Sequence, residues 1–70
     1  MARASAMRRN LGNWLRIHQR FEESEQQFRM GLEVDPENAQ LHFDLGRSVH
    51  AQGRAAEAIE AYRAAAALDP

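Results

Sequence analysis

The sequence predicts an all-α fold made of two stacked helix-turn-helix hairpins. Three observations carry this expectation. The chain superimposes on itself at an offset of 34 residues, so that Leu11-Gly12 falls on Leu45-Gly46, Arg20 on Arg54, Glu23 on Glu57, Arg29 on Arg63 and Asp35-Pro36 on Asp69-Pro70. Self-similarity at a fixed period of about 20–50 residues marks a stacked repeat. Helix-length segments with a helical apolar period are separated by loops of only a few residues, which forces consecutive helices to lie antiparallel and touching. No segment alternates apolar and polar residues at period two, so no strand is expected.

The elements follow in order. The first helix is expected over about residues 4–19, with Met7, Leu11, Trp14, Leu15, Ile17 and Phe21 apolar on more than one side. The second spans about 22–34 and turns Phe28, Gly31, Leu32 and Val34 inward. Asp35-Pro36 stops it, because proline disfavours helix at the preceding residue and has no N–H to continue the ladder. Asn38 caps a third helix over about 39–51, in which Leu41, Leu45 and Val49 form an i, i+4, i+8 stripe. Gln52-Gly53 ends it, glycine taking a left-handed conformation cheaply. The fourth helix runs over about 55–68 to Asp69-Pro70, the same stop as before. The pairing of Gly12 with Gly46 implies close helix contacts. Phe28 and Tyr62 are the bulky side chains that fill the space between paired helices. Leu11, Leu15, Phe28, Leu45, Val49, Ile59 and Tyr62 are expected to be buried.

Seventy residues form one small domain, residues 1–70, with repeat one at 5–36 and repeat two at 39–70. So short a chain has a modest core. It has no cysteine, hence neither a disulfide nor a thiolate metal site. No apolar run reaches the roughly 18–20 residues that span a bilayer. The basic start lacks the continuous apolar stretch of a secretory signal, and a cytoplasmic location is expected. The net charge of −1 hides an asymmetry. Residues 1–21 carry five arginines and no acid, whereas residues 22–70 carry ten acids and four arginines. Such a polarised chain can steer an acidic ligand or associate head to tail. Nucleic-acid binding is not expected, because the basic helix is offset by an acidic remainder and lacks interleaved aromatics.

Taken together, these residues resemble the tetratricopeptide repeat family. The second unit carries Leu45-Gly46, Val49, Gly53, Ala58, Tyr62, Ala65 and Pro70 in the family's order and spacing; the first carries Leu11-Gly12, Leu15, Ser24, Phe28, Gly31 and Pro36. The resemblance implies a short right-handed α-solenoid whose first helices line a concave groove for peptides or partner helices. The sequence departs from the family pattern at Arg8 and His42, where a large aromatic is usual, and at Gln19, which stands in the place of Gly53. That turn must hold a non-glycine residue in a costly conformation or take another shape.

The groove candidates are Arg9, Asn13 and Arg16 from the first unit and Gln40, Phe43, Arg47 and His50 from the second. Arginines that fork carboxylates, with amides that bond backbone, suit an acidic or C-terminal peptide segment. Arg9-x-x-x-Asn13 looks like the first half of the carboxylate clamp found in chaperone-tail-binding members of this family, but Asp44 occupies the slot where those members carry asparagine. Self-association is the second expected activity. Met7, Trp14 and Ile17 form one uncovered end, and the alanine run Ala64 to Ala67 with Leu68 forms the other. Closed two-fold pairing is the commoner arrangement and the one expected, with end-to-end stacking as its rival. His42 and His50 lie eight residues apart, too far to share a metal on one helix, and there is no His-Glu-x-x-His arrangement. With no phosphate loop and no nucleophile constellation, the chain is expected to be non-catalytic and cofactor-free; it would otherwise serve as an adaptor arm of a larger enzyme.

Overall fold

The computed structural model describes residues 2–70; Met1, the first residue of the predicted domain, lies outside them. Four helices follow in chain order: α1 (Ala2–Ile17), α2 (Phe21–Val34), α3 (Ala39–Ala51) and α4 (Ala55–Leu68). No strand occurs among the described residues. α1 pairs with α2, α3 pairs with α4, and the two hairpins stack through α2 and α3. The bounds of α3 and α4 are those expected. α1 starts two residues earlier than expected and ends at Ile17, because the chain turns at His18 and Gln19.

The 34-residue period extends to the backbone torsions. Gln19 has φ 63° and Gly53 φ 81°, both left-handed. Each turn closes with the same pair of bonds. Arg20 N–H donates to Leu15 O (2.8 Å) and Gln19 N–H to Arg16 O (2.9 Å); Arg54 N–H donates to Val49 O (3.2 Å) and Gly53 N–H to His50 O (2.9 Å). Of the two shapes open to the first turn, it takes the costly one. Glycine holds this conformation without a Cβ penalty, whereas glutamine incurs roughly 1 kcal/mol. Gln19→Gly is therefore expected to stabilise the chain by up to about 1 kcal/mol, a melting-temperature rise of about 4–8 °C for a domain of this size. A variant that melts at or below the parent temperature would show that Gln19 is not strained.

The core lies between the hairpins. Phe28 and Leu41 are fully buried, Val49 and Ala58 almost so, and Leu45 and Ala61 complete the cluster, with Leu32 and Tyr62 packed against it. Burying a side chain such as Phe28 or Leu41 stabilises by about 1.5–3 kcal/mol. Leu15, Phe28, Leu45 and Val49 are buried as expected, and Tyr62 is half-buried. Leu11 and Ile59 are not buried: they are 45% and 50% exposed. Leu11 matches Leu45, which joins Phe28 of α2 in the core, whereas among the described residues α1 packs only on α2 and α3 and Leu11 stays outside that cluster. Ile59 matches Glu25, which is covered by the turn of the following hairpin. Both corrections fall on the outer faces of the stack, where a repeat position loses the neighbour that buries its counterpart.

The helix glycines mark close approach. A Cβ added at Gly12 would lie 2.5 Å from Cε1 of Phe28, and one at Gly46 would lie 2.6 Å from Cε1 of Tyr62. Each aromatic ring rests where its partner helix has no side chain.

Candidate functional site

The predicted groove residues project from α1 and α3 and separate into two groups. At one end, Arg9 and Asn13 converge on Asp44 of α3. Arg9 Nη1 lies 3.8 Å from Asp44 Oδ2, and Asn13 Nδ2 donates to the same oxygen at 3.4 Å. Asp44 is buried. The half-clamp arrangement of Arg9 and Asn13 is thus turned inward on an acid of the same chain, and its charge is already partly met. Oδ1 of Asn13 is buried without a partner.

At the other end, Arg16, Arg47 and His50 line one cavity of about 300 Å³ together with Phe21, Ala51 and Tyr62. No acid lines it. The Nε of Arg16 is buried and has no hydrogen-bond partner among the described residues. Phe43 joins the two ends. The residue is 48% exposed; its ring lies 5.5 Å from the ring of Tyr62 and carries the Arg47 guanidinium 5.7 Å above it, which holds that cation over the face. Gln40 and Phe43 line a second, larger cavity of about 590 Å³ that opens between α3 and α4, bounded by Arg9, Tyr62, Ala65 and Ala66.

Among the residues expected to mediate self-association, Met7, Trp14 and Ile17 are 69%, 49% and 67% exposed. Trp14 is braced by His18, whose ring stacks on the indole at 3.9 Å and whose Nδ1 donates to the Trp14 carbonyl at 2.8 Å. On α4 the large cavity is lined by Ala65 and Ala66, not by Ala64 or Leu68. The repeat explains this, since Met30 and Val34, the counterparts of Ala64 and Leu68, stay 42% exposed even with α3 seated on α2.

Sequence reasoning missed a polar junction between the hairpins. Glu25 of α2 is buried. It accepts from Arg54 Nη1 (2.8 Å) and Nη2 (3.1 Å), from Gln52 Nε2 (2.9 Å) and from Arg29 Nε (2.9 Å). Burial opposes its charge, but the hydrogen bonds from Arg54, Gln52 and Arg29 prevail and lower its pKa from 4.5 to about 2. Arg54 also forks Glu57 at 3.0 and 2.7 Å, which lowers the Glu57 pKa and raises that of Arg54. Nearby, the Ser24 and Ser48 hydroxyls share a buried 2.6 Å hydrogen bond across the same junction. The one available signal was the mismatch between repeats: Glu25 aligns with Ile59 and Ser24 with Ala58.

Among known proteins, the family model described as Tetratricopeptide repeat matches residues 10–70. No curated protein matches the chain. Repeats of this family generally mediate protein–protein interaction. Four helices paired as two hairpins, glycines set against Phe28 and Tyr62, and a match across nearly the whole sequence establish that the chain belongs to the tetratricopeptide repeat family.

Proposed function

We propose that the chain is a non-catalytic interaction module whose α1–α3 face takes an acidic or carboxylate-terminated peptide segment. The observation that carries this reading is the cavity where Arg16, Arg47 and His50 meet with no acid among its lining residues. Guanidinium groups bind carboxylates by parallel, charge-assisted hydrogen bonds. Phe43 offers an exposed ring beside the cations for an apolar residue of the same segment. Arg9 and Asn13 are secondary, since Asp44 already engages them.

Binding of an acidic peptide should weaken as salt rises, because exposed charge contacts fade over a Debye length of about 8 Å at physiological ionic strength. Arg16→Ala/Arg47→Ala should cost at least about tenfold in affinity, and Arg9→Ala distinctly less. Calorimetric titration of such a peptide at two salt concentrations reads both effects. Equal affinity for parent and double variant at both concentrations would remove the groove as an electrostatic site.

A second reading, self-association, is favoured by the exposed apolar row Met7, Leu11, Trp14 and Ile17 on α1.

A further inference from the structure

The internal repeat shows what the open face of α3 and α4 is shaped to receive. In the first hairpin the equivalent face is occupied, because α3 lies on α2. There Leu41 sits against Gly31, where an added Cβ would be 3.0 Å from Leu41 Cδ1, and Leu41 and Leu45 join Phe28 in the core. Advanced by one repeat, Phe28 becomes Tyr62, Gly31 becomes Ala65 and Leu32 becomes Ala66. These three line the open 590 Å³ cavity. Set back by one repeat, the α3 residues Leu41, Leu45 and Ser48 become Met7, Leu11 and Trp14 of α1, which are 69%, 45% and 49% exposed.

We propose that a second copy of this chain docks its α1 in the cavity between α3 and α4, continuing the stack head to tail as α3 continues it on α2. This rests on the self-association reading and gives it a geometry. Two observations select the second copy. The first is a matched exchange at both partners. At the junction within the chain, the buried carboxylate of Glu25 meets the amide of Gln52. At the open faces, Glu25 is replaced by the half-exposed Ile59, and Gln52 by His18, whose ring stacks on Trp14. The carboxylate–amide contact has become an apolar residue facing an aromatic stack, and Arg20, which takes the place of Arg54, keeps Glu23 as its own carboxylate partner, so each face suits the other. The second is charge. Residues 1–20 hold five arginines and no acid, whereas residues 55–70 hold Glu57, Glu60 and Asp69 against one arginine. Head-to-tail docking joins opposite charges. Two-fold pairing of α1 with α1, the arrangement expected from the commonness of closed dimers, sets the four arginines of one α1 against the four of the other.

A pair of complementary blocks tests the geometry. Met7→Arg/Trp14→Arg disables the α1 face, and Ile59→Arg/Ala66→Arg disables the receiving face; all four positions are exposed. Circular dichroism verifies that both variants retain their helices. In sedimentation equilibrium the parent should show a mass that climbs with concentration without a fixed end point, as an unclosed heterologous contact requires. Each variant alone should stay at the mass of one chain, and their equimolar mixture should form a one-to-one complex through the single intact interface. If the receiving-face variant still dimerises alone, or the mixture stays monomeric while the parent associates, head-to-tail docking is wrong and only self-association survives. A parent that stays monomeric at millimolar concentration overturns both.

Discussion

Gly46→Leu should lower the stability of the chain by about 3 kcal/mol, the upper part of the range for overpacking a filled core. Even the Cβ of the new side chain would arrive 2.6 Å from Tyr62 Cε1 and 2.8 Å from Cδ1. To make room, the ring must leave its packing against the core and against Phe43. Gly53→Ala is the control. Nothing lies within 4 Å of a Cβ at that position, and only its φ of 81° resists substitution, at a cost of about 1 kcal/mol. Marginal stability of a small domain makes the difference easy to read in thermal melts. A ranking with Gly53→Ala the more damaging would dismiss ring-on-glycine packing as the reason for the conserved spacing within the two repeats.

Glu25→Gln should cost on the order of 2 kcal/mol at neutral pH, because it removes a carboxylate that ties α2 to the turn of the second hairpin and leaves Arg54 and Arg29 without that partner. Its pH dependence identifies the cause. The folded pKa of Glu25, about 2, lies below its ordinary 4.5. The stabilisation is therefore present in full above about pH 4.5 and is lost as pH falls towards 2. Parent and variant should differ most at neutral pH and converge across that acid window. Denaturant midpoints taken through the window decide the matter, and a difference that stays constant down to pH 2 would mean that Glu25 acts by shape alone.

The repeat made the elements legible because the stops at Asp35-Pro36 and Asp69-Pro70, the cap at Asn38 and the turn at Gly53 are local signals. The cap is formed as expected, with Asn38 Oδ1 accepting from Leu41 N–H at 3.0 Å. What escaped was decided between elements. Leu11 and Ile59 carry the apolar character of buried positions, yet each lies on an outer face. Asp44 reads locally as a stray acid beside the groove, and only the packing of α1 on α3 brings Arg9 and Asn13 onto it. Glu25 reads as one more charge on a solvated helix, with an i, i+4 partner in Arg29. Its link to Arg54, 29 residues on, depends on the stacking of one hairpin against the next. The grouping of Arg16, Arg47 and His50 was legible in their shared helix faces, whereas the separation of Arg9 from them was not.

The most direct test of the proposed groove is a nuclear magnetic resonance titration of the chain with a carboxylate-terminated acidic peptide. The amide and side-chain shifts should concentrate at Arg16, Arg47, His50 and Phe43, and should disappear in Arg16→Ala/Arg47→Ala. Shifts confined to other surfaces, or a pattern unchanged by the double substitution, would contradict the assignment of the α1–α3 face as the binding site.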